Sequence, residues 1–323
     1  MSVESGFDDL QVEVNAPKDA MEEARRRRNL FRTSLQKAED VTDTWPSGSL
    51  ARGTQKDPIH DVDVVVEFDK EAHPGWGDPG DSAMDALEHT RELVKELLGS
   101  DGTEGVEVRL TRLENHAVKC FLDDPNADKP FTVDVTPALA RSGGGIWIPE
   151  QRNRQWIASD PKYLMSLVAE RHAAWNQFAK LVRVLKRWGA DNGGAMKPLV
   201  LEVLALHHLP ARARPEALKR FFTAAAEAVW SPVCDPAGLC GEIQPDLDRQ
   251  QAHDLLEAAA DTAWRAVDAA GRSHTDRAMC LWHKLFGDIY PEPPGGCDGG
   301  GQSGIAAVPL LRPKRPIVDA PQG

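Results

Sequence analysis

The sequence predicts an α+β fold, a lobe built on a mixed sheet with helices followed by an α-helical lobe. Three observations predict it. Valine-rich runs with regularly placed acids, HDVDVVV (60–66) and FTVDVTPA (131–138), read as strands with one apolar face. From about 160 onward the apolar residues change to helical spacing. After 290, glycine and proline dominate, in PEPPGG, CDGGGQSG and RPKRP. The expected division is a sheet lobe with a long N-terminal helix over 1–158, a helical lobe over 159–290 and a flexible tail over 291–323.

Taken in order, residues 17–40 read as one long helix with Pro17 near its start. A strand near 41–45 leads into a Gly48-Ser49 turn, and 61–68 form the central strand. Residues 70–81 (KEAHPGWGDPGD) are a loop rich in glycine and proline. A helix follows over 82–98, then strands near 105–113, 116–122, 130–136 and 146–148, with Pro137 closing the third of these. Helices are expected over 160–172, 174–190, 197–208, 215–230, 248–270 and 274–287. Trp175, Phe178, Leu181, Val182 and Leu185 form an apolar stripe for packing, and Trp188 and Trp230 read as packing residues too.

Composition bounds the chemistry. With 41% hydrophobic and 27% charged residues, the chain has the make-up of an ordinary soluble globular protein. No run of about 18 apolar residues is present, so no membrane span is expected. The acidic start MSVESGFDDLQVEV is not a secretory signal, and a cytoplasmic location is expected. A net charge of −12 argues against a long nucleic acid as partner. Arg25–Arg28 follow Glu22 and Glu23 at i,i+4 spacing, which reads as a solvated helix face. Five scattered cysteines fit reduced thiols better than a disulfide framework.

The chemistry concentrates in three segments. Alternation puts Asp61 and Asp63 on one face of their strand, with Val62, Val64 and Val66 on the other. Asp134 shares a face with Thr132 and Thr136. If the two strands are neighbours, three carboxylates converge into a hard-oxygen site suited to Mg²⁺, with Mn²⁺ as a substitute. Two such ions about 4 Å apart serve nucleotidyl transfer. Gly48 and Ser49 form a turn able to cradle phosphate, and Arg52 adds charge nearby. Asp61, Asp63 and Asp134 are thus the candidate catalytic and metal-binding residues.

Those residues carry a family resemblance. The order Gly48, Ser49, Asp61, Asp63, Asp134 resembles the DNA polymerase β-like nucleotidyltransferases. Within them the chain resembles the bacterial cGAS/DncV-like nucleotidyltransferases (CD-NTases) of CBASS antiphage defence. Further matches are Ile148-Pro149, Trp156–Pro161, Leu181–Trp188 and Lys197–Leu204, so the likeness spans roughly residues 20–290. It departs at Pro198, where relatives often carry a serine that can contact the donor triphosphate. The resemblance implies a catalytic lobe of polymerase β type and two Mg²⁺ ions. It implies a Mg²⁺-dependent enzyme that joins nucleoside triphosphates, bound between the lobes, into a cyclic di- or trinucleotide. Gly48, Ser49 and Arg52 would hold the donor triphosphate. Lys186 and Lys197 are further phosphate candidates, each balanced against a plain solvated helix charge. Other readings stay open: nucleotide transfer to a tRNA, a protein or a small molecule, or a degenerate nucleotide-binding protein. For the tail, a plain disordered end is the preferred reading. The resemblance adds a second, conjugation of Gly323 by an E1/E2-like partner.

Overall fold

The structure is a computed structural model, and it describes residues 1–99 and 107–297. In chain order the elements are α1 (Val3–Val14), α2 (Lys18–Leu35), β1 (Val41–Ser47), α3 (Gly48–Arg52), β2 (Asp61–Phe68), α4 (Ser82–Leu98), β3 (Leu110–Leu113) and β4 (Val118–Phe121). They continue with β5 (Thr132–Ala140), β6 (Ile146–Glu150), β7 (Gln155–Ser159), α5 (Pro161–Ala174), α6 (Phe178–Asp191), α7 (Pro198–His208), α8 (Arg214–Ala228), α9 (Arg249–Gly271) and α10 (Thr275–Phe286). The chain forms two compact units. One comprises residues 16–167 with 235–241; the other comprises 1–15, 168–234 and the described residues from 242 onward. Contacts thus place residues 1–15 with the helices and carry the first unit past the expected boundary at 158. The expected start of the third strand at 105–106 and the tail from 298, with Gly323, lie outside the described residues.

The first unit is organised by one mixed sheet in the order β1-β2-β5-β4-β3, with β6 paired to β5 and β7 to β6. β2 and β5 run parallel, and every other pairing is antiparallel. Val62, Val64 and Val66 are fully buried among Phe31 and Leu35 of α2 and Leu87 and Val94 of α4. Val65 points the other way into a smaller cluster with Trp45, Ala138, Ile146 and Ile148. A central strand covered on both faces explains why the alternation breaks into a continuous Val64–Val66 run. Pro137 does not close β5, which runs on to Ala140. It falls between the β4 pairing, which ends at Val135, and the β6 pairing, which begins at Leu139. Proline is tolerated where a flanking strand is missing.

The second unit is helical. Phe178, Leu181, Val182, Leu185 and Trp188 form the buried stripe of α6. The first helix is an addition to the sequence reading. Phe7, Leu10 and Val14 are its buried face, and a reciprocal Ser2–Ser5 cap starts it. Phe7 packs edge-on against Trp282 at 5.1 Å and Tyr290 at 5.2 Å. The reading of 17–40 as one helix is also corrected. It stops at Leu35, because turn bonds from Lys37 and Val41 fold the chain back into β1. Cys280 and Cys297 form a disulfide, so not all thiols are free. Trp230 is exposed and lies against the His253 ring at 4.7 Å instead of packing inside. In the arginine run, Glu23 pairs with both Arg26 and Arg27, and those hydrogen bonds hold its carboxyl down to about 2. Among the described residues no helix is long and apolar enough to cross a membrane.

Candidate active site

Four strands place one polar row across the sheet. Ser47 of β1 is the register partner of Asp63 of β2; Asp63 is opposite Asp134 of β5; Asp134 is opposite Lys119 of β4. Adjacent strands lie about 4.8 Å apart, so this register sets the two carboxylates side by side. Asp61 lies two residues earlier on the same face of β2, level with Thr132. The neighbouring valines anchor both strands in the core, so the acids have no freedom to turn inward.

The turn before β2 is built against this row. Gly48 has φ +70°, and a β-carbon there would sit 1.6 Å from Asp63 Oδ2. Only glycine brings the backbone that close to the carboxylate. The Ser49 hydroxyl donates to Gln55 Oε1, and Arg52 is buried in the last turn of α3. Gln55 was not foreseen, since a lone glutamine in a loop carries no sequence signal. Lys119 does carry a sequence signal: alternation along its strand puts it on the polar face, opposite Asp134.

Asp134 is the electrostatic centre. About 24% of its side chain is exposed, yet Oδ1 is sealed from solvent and has no hydrogen-bond partner among the described residues. Burial pushes its carboxyl up to about 8, and Asp63 and Asp61 push the same way. Lys119, with Nζ 3.7 Å from Oδ2, pulls back only in part. Clustered carboxylates with an unsatisfied oxygen fit a hard divalent cation, which would supply the missing positive charge.

Lys186 and Lys197 belong to the helical unit, and neither is a solvated helix charge. Lys186 is 4% exposed, with its ammonium 2.5 Å from the fully buried Glu202. Lys197 is buried at the N-cap of α7, and its backbone N–H donates to Gln244 Oε1 at 2.7 Å. Pro198 occupies the first turn of that helix, where its fixed φ is preorganised and its missing N–H is no loss.

Known proteins resemble this chain in sequence and in fold. Residues 1–171 match the model of the Second Messenger Oligonucleotide or Dinucleotide Synthetase (SMODS) domain. A cyclic AMP-AMP-AMP synthase of Escherichia coli (strain MS 115-1) is 24% identical, over 86% of this chain and 94% of that protein. A second cyclic AMP-AMP-AMP synthase, from Acinetobacter sp., is 21% identical over 50% of this chain and 52% of its own length. Among solved structures, Vibrio cholerae DncV in its 3'-deoxy GTP bound form superposes with a TM-score of 0.66 at 13% identity, covering 88% of this chain and 93% of that one. E. coli CdnC with ATP gives 0.61 at 19% identity, over 90% and 99%. These superpositions carry the fold, an α+β nucleotidyltransferase architecture with a helical C-terminal region. With the family match spanning more than half of the chain, and with carboxylates and glycine turn in place, the chain belongs to the second messenger oligonucleotide or dinucleotide synthetases and is a nucleotidyltransferase of the CD-NTase type.

Proposed function

We propose that Asp61, Asp63 and Asp134 hold two divalent cations, Mg²⁺ in the first instance, and that the chain links nucleoside triphosphates into a cyclic di- or trinucleotide with release of pyrophosphate. The observation that carries this is Asp63 facing Asp134 on parallel strands, with Gly48 pressed against the Asp63 carboxylate. When bound, the cations neutralise the triphosphate and make the attacking hydroxyl more acidic. Gly48 keeps the 48–52 turn close to the acids, so a phosphate held by Ser49, Arg52 and the turn backbone lies beside them. With cations bound, Asp134 would be ionised, complete the metal site and assist deprotonation of the attacking ribose hydroxyl. Lys197 stays a proposed phosphate contact from the helical unit, as does Lys186, whose buried ion pair gives it a structural role as well.

A cyclic tri-adenylate is the first product to seek, because the relative covered over 94% of its length is a cyclic AMP-AMP-AMP synthase. The reaction is proposed to run in the cytoplasm, as part of a CBASS antiphage response, the setting that the family match supports. Purified protein with Mg²⁺ and labelled triphosphates alone is expected to yield phosphatase-resistant oligonucleotides, and excess EDTA to stop their formation. Undiminished synthesis in EDTA would exclude the metal mechanism. Conjugation of Gly323 by an E1/E2-like partner is carried by the tail sequence alone. Higher-mass conjugates on co-expression with neighbouring genes, lost on deleting 318–323, would support it; conjugates that persist on the truncated chain would remove it.

A further inference from the structure

A second cluster of ligand-bearing side chains lies in the sheet unit, at the end of β2 away from the acids. Asp40 ends the connection from α2 to β1, His73 sits in the turn after β2, and His89 is on α4. Their potential ligand atoms all lie within 4.8 Å of one another. Both imidazoles aim Nε2 at the same carboxylate oxygen, Asp40 Oδ2, from 2.8 Å for His73 and 2.7 Å for His89. Val41 is the register partner of Phe68, while Ser47 is that of Asp63. The five residues from Asp63 to Phe68 span roughly 16 Å of strand, so this cluster is separate from the candidate active site.

The surroundings hold the rings in place. His73 stacks on Trp76 at 3.8 Å, and Phe68 presents its ring to His73 at 5.8 Å and to His89 at 5.4 Å. Side-chain exposure is 20% for Asp40, 16% for His73 and 38% for His89, so the cluster is walled by aromatics and open on the His89 side. Two imidazoles and one carboxylate are a donor set for a late first-row cation, not for Mg²⁺, which prefers oxygen alone. A tetrahedral Zn²⁺ with bonds of about 2.0–2.2 Å sets its ligand atoms roughly 3.3 Å apart. The two imidazole–carboxylate spacings, 2.8 and 2.7 Å, open to that by about half an ångström each, within the reach of side-chain rotation.

We propose that Asp40, His73 and His89 form a Zn²⁺ site, with the fourth position left to water, that ties the 70–81 loop to α4 and to the start of β1. Three segments far apart in sequence meet there, and a cation bridging them restrains the loop that follows the catalytic strand.

The test uses chelator-treated full-length protein titrated with Co²⁺ alone and with Zn²⁺ alone, beside Asp40→Asn, His89→Gln and Asp63→Asn. One Co²⁺ per chain is expected to give a visible ligand-field spectrum of tetrahedral type, displaced by Zn²⁺. Saturating Zn²⁺ is expected to raise Tm by about 4 °C or more. Asp40→Asn and His89→Gln should weaken Zn²⁺ binding at least about tenfold, with His89→Gln folded by circular dichroism because its side chain is the most exposed of the three. Asp63→Asn should keep the full signal, which separates this site from the active-site acids. Absence of Zn²⁺ binding in the parent, or a signal lost in Asp63→Asn and retained in the other two variants, would overturn the proposal.

Discussion

Asp134 holds its proton near neutral pH because Oδ1 is cut off from water and two like charges stand on the adjacent strand. Its carboxyl titrates near 3.8 in an ordinary setting and near 8 in the metal-free fold. Between those values the folded chain keeps a proton that the unfolded chain releases. Stability therefore falls as pH rises through this window, by up to about 1.4 kcal/mol per pH unit. Metal-free Asp134→Asn is predicted to melt higher than the parent at pH 8, with the gap closing toward pH 4. Thermal melts across that range check it, and a variant that melts lower at pH 8 would contradict the burial account. Gly48 is the second residue on which the site rests. Gly48→Ala places a methyl group against Asp63 in a left-handed backbone that costs about 1–2 kcal/mol by itself. Synthesis is expected to fall at least about a hundredfold, measured as product per mole of folded protein. Parental turnover would mean that the close approach has no part in catalysis.

At the scale of elements, β2 and β5 were legible because their alternation is strict where it matters: Asp61, Asp63 and Asp134 on one face, Val62, Val64, Val66, Val133 and Val135 on the other. The helices from 161 onward were legible to within a few residues, most clearly α6 and α10, whose apolar residues recur at helical spacing. The pairing of β2 with β5 was conditional, since strand adjacency is a tertiary fact with no local signal. β7 was hidden because GlnTrpIleAlaSer alternates too briefly to announce itself. The first helix was hidden by its acidic surface, although Phe7, Leu10 and Val14 carry the period. Lys186 shows the limit most plainly. Its motif pointed to phosphate, while the partner that buries it, Glu202, comes from the next helix, α7. Removing one member of a buried pair costs about 3–5 kcal/mol by stranding the other. Lys186→Met is thus predicted to lower Tm by several degrees, and Lys186→Met with Glu202→Leu to regain part of the loss. An unchanged Tm with a raised KM for triphosphate would make Lys186 a phosphate contact without a structural role.

Over the whole molecule, the acids and the glycine turn belong to the sheet unit, and Lys186 and Lys197 belong to the helical unit. The net charge of −12 suits small triphosphates neutralised by cations better than a long polyanion gripped by basic side chains. The disulfide between Cys280 and Cys297 was not readable from spacing, because it depends on the chain after α10 returning to that helix. The central claim is that three carboxylates on two neighbouring strands make a cyclic oligonucleotide. The most direct measurement is mass spectrometry of phosphatase-treated reactions containing all four nucleoside triphosphates and Mg²⁺, run with the parent and with Asp63→Asn. The account predicts a cyclic di- or trinucleotide from the parent and at least about a hundredfold less from the folded variant. Equal product from Asp63→Asn, or only linear and phosphatase-sensitive product from the parent, would contradict it.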